Sequence, residues 1–152
     1  MKLDDIDKRI IRELQRDGRL QNNELARRVG LSPSPCLRRV RLLEEAGVIS
    51  RYVAVVDQTR VGLGLSLFAR VSLVAQDAET IDLFIEAMRR LPEVVECYIM
   101  LGESDALLRV VVGNLDDYRR FQSTHLTRRN GIQNVKTDVP SEIVKQTFAV
   151  PI

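Results

Sequence analysis

The sequence predicts an α+β chain in two pieces. Three short helices occupy residues 1–56, a linker follows at 57–64, and a β-α-β-β-α-β unit spans 65–152. Three observations predict this. Apolar residues recur at helical spacing as far as Gly47 and alternate from Leu65 onward. Charge divides at the same place: residues 1–60 hold 13 basic and 9 acidic side chains, the remainder 10 and 12, so +4 is followed by −2. A chain of 152 residues, 45% hydrophobic and 29% charged, is long enough for one medium or two small domains and too apolar to be disordered.

The elements of the first piece follow in order. Asp4 or Asp5 caps a first helix whose inner positions are Ile6, Ile10, Ile11 and Leu14, and Gly18 ends it. A second helix starts at Asn22, buries Leu25, Ala26 and Val29, and stops at Gly30. Ser34-Pro35 is the next start signal, a serine cap with proline at the first helical position, where its missing N–H costs nothing. The third helix then runs to about Ala46 and stops at Gly47. Two short helices joined by a tight Gly-containing turn, after one supporting helix, form a helix-turn-helix arrangement, here of the winged type if Val48 to Val56 makes the strand its β-branched residues favour.

On a helical wheel Cys36, Leu37, Val40 and Leu43 of the third helix share an inward arc. Ser34 and Arg38 lie outward, with Arg39 and Arg41 on the flanks; Leu42 also falls near the outer face, and Pro35 at the helix start joins the DNA-binding candidates. Between Arg27 and Arg41 there are five arginines and no acid. This suits a recognition helix in the major groove of DNA, whose N-terminal residues touch base edges. Arginine bonds a guanine edge bidentately and serine bonds several bases, so Ser34 and Arg38 are the base-reading candidates. Arg27, Arg28, Arg39, Arg41 and Arg51 are candidates for phosphates, which add affinity without sequence information. A solvated arginine face is the competing reading of the charge alone.

In the second piece Leu67, Ala69, Val71 and Leu73 alternate with Ser66, Phe68, Arg70 and Ser72, the period of a half-buried strand. Asp77 caps a helix carrying Ile81, Phe84, Ile85 and Met88, which stops before Pro92. Val94 to Leu101 and Asp105 to Val112 are two strands joined by Gly102-Glu103-Ser104. Leu115, Tyr118, Phe121 and Leu126 mark the second helix, closed by Gly131. Val135 to Val139 and Ile143 to Phe148 supply a last strand or strand pair around Pro140. This order is the ferredoxin-like unit, with both helices on one face of an antiparallel sheet. The other face carries Phe68, Tyr98, Met100 and Val111, too apolar to be left in water. A second copy related by a two-fold axis would cover it, and would also set two recognition helices on half-sites about one turn, ~10–10.5 bp, apart.

Other classes find little support. The two cysteines, Cys36 and Cys97, have no CxxC spacing, and the one histidine, His125, has no convergent nucleophile or acid pair. No metal site, catalytic residue or disulfide is expected, and both cysteines read as core. The start Met1-Lys2-Leu3-Asp4-Asp5 lacks the apolar core of a secretory signal, and no apolar run reaches the ~18 residues of a membrane span, so a reducing cytoplasm is the expected setting. An RNA-binding ferredoxin-like protein would want aromatic-x-aromatic strands, which seven aromatics and no tryptophan do not supply. A small enzyme would have only Glu103 and Asp105 to work with.

The chain resembles bacterial and archaeal transcriptional regulators of the Lrp/AsnC (feast/famine) family. The resemblance is carried by Leu3-Asp4-x-x-Asp7 and Asp17-Gly18-Arg19, by the run from Glu24-Leu25-Ala26 through Val29-Gly30-Leu31-Ser32-Pro33-Ser34-Pro35-Cys36-Leu37 to Arg39-Val40 and Leu43-Glu44, and by Gly47-Val48-Ile49. In the second half it rests on Glu96-Cys97, Gly102-x-x-Asp105 and Glu142-x-Val144-Lys145. The resemblance implies an N-terminal DNA-binding domain and a C-terminal domain for oligomerisation and amino-acid sensing. It implies dimers assembling into octamers or related rings, no cofactor, and an amino-acid-like effector at contacts between dimers. The family's effector loop maps onto Gly102, Glu103, Ser104 and Asp105, with Met100, Leu101 and Leu115 as apolar walls. Asp105 would meet an ammonium, and glycine would let main-chain N–H groups approach a carboxylate. A plain hairpin turn is the competing reading of Gly-x-x-Asp. The last strand departs from leucine-responsive members in reading Thr137-Asp138-Val139-Pro140; Asp138 beside the loop would disfavour a purely aliphatic effector or favour one with a cationic group.

Overall fold

The computed structural model describes residues 1–152 as two compact units. The first comprises residues 1–55 together with 145–152, the second residues 56–144.

In the first unit α1 (Asp5–Arg16), α2 (Asn22–Val29) and α3 (Pro33–Glu45) close over Ile10, Ile11, Leu25, Ala26, Val29, Cys36 and Leu43. Asp4 caps α1 through a reciprocal box: its carboxylate accepts the Asp7 N–H at 2.8 Å, and Asp7 accepts the Asp4 N–H at 3.1 Å. Gly30 ends α2 in the left-handed region at φ 76°, the conformation that favours glycine there. Two helix starts differ from expectation. Gln21, without a side-chain bond, precedes α2, while the Asn22 amide donates to Pro33 O at 2.8 Å and ties the turn together. The third helix starts at Ser32-Pro33 rather than Ser34-Pro35, because the first of the two Ser-Pro pairs already supplies the cap position and the proline at N1.

Residues 48–56 form no strand. Tyr52, Val53, Val55 and Val56 are exposed, and β-branched composition makes no ladder without a partner strand. Residues 143–148 likewise pair with nothing in sheet fashion. The last eight residues, expected in the second piece, pack on α1 instead. The Gln15 side-chain amide bonds both the N–H and the carbonyl of Val150, at 2.6 and 3.1 Å, and Arg12 Nε donates to the Ile152 carbonyl at 2.8 Å.

In the second unit β1 (Leu65–Leu73), α4 (Ala78–Arg89), β2 (Val94–Ile99), β3 (Ala106–Val112), α5 (Leu115–His125) and β4 (Ile132–Asp138) follow in the predicted order. The sheet is antiparallel throughout, in the order β2-β3-β1-β4. Asp77 and Asn114 cap the two helices. The helix-facing side of β1 and β3 (Leu67, Ala69, Val71, Leu73, Ala106, Leu108, Val110, Val112) meets Phe84, Met88, Tyr118 and Phe121. On the open face Tyr98 and Met100 are exposed, but Val111 is already covered. That face is also laced with charge, since Arg109 bonds Glu96 at 2.9 Å and Arg70 bonds Asp138 at 2.7 and 3.1 Å. Cys97, expected in the core, is exposed on the edge strand β2, whereas Cys36 is fully buried.

Candidate DNA interface and effector loop

Helix α3 divides its residues by face. Cys36 and Leu43 are buried and Val40 half-buried, whereas Ser34, Pro35, Arg38 and Arg41 are exposed. Leu37, expected inward, is 39% exposed and stands beside Arg38; Leu42 is exposed too. An outer face mixing arginine with leucine offers both charge and apolar contact.

The arginines separate by partner. Arg39 reaches back to the start of α1, donating to Asp4 at 2.8 Å and to Asp7 at 2.7 Å. Asp7 is the one buried charged residue of the chain. The Asp7 N–H, with Arg39 second, holds the Asp4 carboxyl below its ordinary value. Arg27 and Arg28 both grip Glu24, at 2.6 and 2.8 Å, and Arg28 also meets Glu13 at 3.0 Å. Their hydrogen bonds, Arg27's foremost, pull Glu24 down to about 2. Arg38, Arg41 and Arg51 are exposed and tied to no carboxylate. Three of the predicted phosphate ligands are thus engaged within the protein, and the free guanidinium charge is on the outer side of α3 and at Arg51.

The β2–β3 connection, residues 100–105, is closed by the Met100 N–H on the Asp105 carbonyl at 2.9 Å and anchored by the Asp105 N–H on the Val71 carbonyl at 2.9 Å. The Asp105 carboxylate already has work: it accepts the Leu73 N–H at 2.7 Å and faces the Gln76 amide at 3.3 and 3.5 Å. It therefore holds the loop against the end of β1, where the pairing with β4 skips Gln133 between Ser72 and Leu73. Gly102 has open space where a Cβ would stand, and Met100, Leu101 and Glu103 are exposed, Leu101 completely. The loop tip is thus a free main-chain surface flanked by apolar side chains. Asp138 is not brought to it. It opposes Phe68, three strand positions from Val71, or ~10 Å, and its carboxylate is spent on Arg70. Gln76 and Arg70, which occupy the two predicted acids, carry no motif that marks them in sequence. No group of three or more His, Cys, Asp or Glu converges as metal ligands would, and no helix is long and apolar enough to cross a membrane.

Comparison with known proteins fits both halves. Residues 3–50 match the model for a winged helix-turn-helix DNA-binding domain, and residues 66–150 that for the Lrp/AsnC ligand binding domain. The transcriptional regulator AzlB of Bacillus subtilis is 37% identical over 150 residues, covering 99% of this chain and 96% of that protein. The leucine-responsive regulatory protein of Escherichia coli K12 is 39% identical over 145 residues, covering 95% and 88%. Among solved structures, a transcriptional regulator of Neisseria meningitidis in complex with L-methionine is similar at a TM-score of 0.95 and 37% identity, over 99% of this chain and 97% of that one. An AsnC-family regulator of Agrobacterium tumefaciens is similar at 0.92 and 37%, over 98% and 97%. With both domain models matched in order along nearly the whole chain, the protein belongs to the Lrp/AsnC family of transcriptional regulators, DNA-binding proteins rather than enzymes.

Proposed function

We propose that Ser34, Pro35, Arg38 and Arg41 on the outer side of α3 form the surface that enters the major groove, with Arg51 on the phosphate backbone. The observation that carries this is the division among the arginines: these three are exposed and free, while Arg39, Arg27 and Arg28 are held by Asp4, Asp7, Glu24 and Glu13. The base-reading role belongs to Arg38 and Ser34, and the phosphate role to Arg41 and Arg51. Arg38→Ala should cost about 1–3 kcal/mol on the preferred duplex and flatten the preference at one base position, measured by fluorescence anisotropy on a panel of single-base variants. Equal weakening on every duplex would make Arg38 a phosphate contact.

The effector is a free α-amino acid received at the Met100–Asp105 loop, its carboxylate on main-chain N–H groups near Gly102 and its side chain against Met100 and Leu101; Leu115, expected as a third wall, begins α5 beyond the far end of β3 and is not brought to this loop. The Neisseria meningitidis relative in complex with L-methionine supports this class of ligand. Asp105 acts by holding the loop's shape, since its oxygens already face Leu73 and Gln76. Glu103 and Ser104 are the free polar groups of the tip. A thermal-shift screen of the twenty amino acids tests the assignment, because a ligand bound only by the folded state raises the melting temperature. No shift with any of them would remove the amino-acid reading. The protein works in the cytoplasm as a homodimer, or a higher assembly of dimers, joined through the open face of the sheet.

A further inference from the structure

The second unit also holds a cavity of about 390 Å3, at the opposite end of β3 from the effector loop. Seven strand residues separate the two, about 20 Å. Its apolar wall includes Leu63, Val111 and Phe121, and its polar wall Glu93, Asp117, Arg120 and His125. The volume lies in the range of small-molecule sites, and a few polar groups over an apolar floor is their usual chemistry.

Three features make this a built site. Glu93 Oε2 is buried and has no hydrogen-bond partner; a carboxylate oxygen out of water and without a donor is unfavourable and calls for a cation. Arg120 is held from below by Asp117, whose own N–H is fixed by the Asn114 cap. Gly113 leaves room for this pair, since a Cβ there would stand 3.3 Å from the Gly62 carbonyl and would push the Asp117 carboxylate aside. His125 lies against the Phe121 ring with centroids 5.3 Å apart, which fixes the imidazole at the rim. The cavity therefore offers one unpartnered anionic acceptor in Glu93, the guanidinium N–H groups of Arg120 that Asp117 does not take, the His125 imidazole and an apolar floor.

We propose that this cavity is a second binding site for a free α-amino acid, with Glu93 taking the ammonium, Arg120 and His125 the carboxylate, and Val111, Phe121 and Leu63 the side chain. The proposal rests on reading the protein as an amino-acid sensor, yet it is independent of the Gly102 loop. It gives the domain two sites at opposite ends of one strand.

Hydrogen-exchange mass spectrometry on the full chain, with each of the twenty L-amino acids, tests it. At least one should slow exchange across residues 111–125. Glu93→Gln should raise the concentration required by at least about tenfold, the loss of one charge-assisted bond, while leaving any protection across 99–106 unchanged. Arg120→Ala, a substitution of an exposed side chain, should weaken the same protection, so that the outcome does not hang on one variant. Butylamine and butyrate, each carrying half of the zwitterion, should be ineffective at that concentration. Absence of amino-acid-dependent protection across 111–125, its persistence in Glu93→Gln and Arg120→Ala, or protection that follows protein concentration alone would overturn the proposal. Failure of the loop assignment would be read separately, as missing protection across 99–106.

Discussion

Arg38 and Arg39 are neighbours in the chain and opposites in what they meet. On a wheel both lie on the polar side of α3, and sequence reasoning assigned them both to DNA. It could not see that Arg39 is claimed by Asp4 and Asp7, 35 and 32 residues earlier, because an ion pair across a fold leaves no local periodicity. Arg39→Ala should therefore act mainly on stability. It leaves the buried Asp7 carboxylate without its guanidinium, and should lower the unfolding free energy by about 1–3 kcal/mol, read as a lower urea midpoint with an unchanged slope. Glu24 makes the matching case for pH. Its folded-state value is pulled down to about 2 from 4.5 by Arg27 and Arg28, so its contribution is complete above pH 4.5 and disappears as pH falls toward 2. Stability followed through that window should fall less in Glu24→Gln than in the parent. Added salt should narrow the difference, since these pairs are exposed.

Among the elements, those with their own start and stop signals were readable. Asp4, Asp77 and Gly30 bound helices as their chemistry requires, and the alternation of Leu67, Ala69, Val71 and Leu73 gave the inward face of β1 directly; Gly131, expected to close α5, instead ends the short 3-10 turn at Arg128–Asn130, since α5 already stops at His125. Segments whose conformation depends on a partner were not readable. Residues 48–56 have strand composition but no ladder, and residues 145–152 are placed by side chains of α1 that no pattern connects to them. The Met100–Asp105 loop was half readable: Gly102-x-x-Asp105 announces a turn, but Gln76, which shares the aspartate, announces nothing. For the terminal segment, Gln15→Ala removes both bonds to Val150 and should cost about 0.5–1.5 kcal/mol per bond lost. Exchange of the Val150 amide should rise to that of an unstructured peptide.

At the scale of the molecule two asymmetries set behaviour. Positive charge is gathered in residues 1–60, so affinity for any duplex should fall as salt rises, the logarithm of the binding constant declining linearly with that of salt concentration. The open side of the sheet carries Phe68, Tyr98 and Met100 beside the Arg70–Asp138 and Arg109–Glu96 pairs, a composition suited to an interface between copies. Phe68→Glu should place a carboxylate opposite Asp138 in the ladder register and lower the molar mass seen by light scattering. An unchanged mass would remove this face from the assembly.

The unit that carries α3 also includes residues 145–152. A ribosome making this chain releases α1, α2 and α3 first, but the contacts of Arg12 and Gln15 have to wait until the final eight residues emerge. A nascent chain thus holds an unfinished DNA-binding unit throughout translation of the sensor, and a message cut short before codon 145 would yield a reader of DNA permanently missing one of its parts.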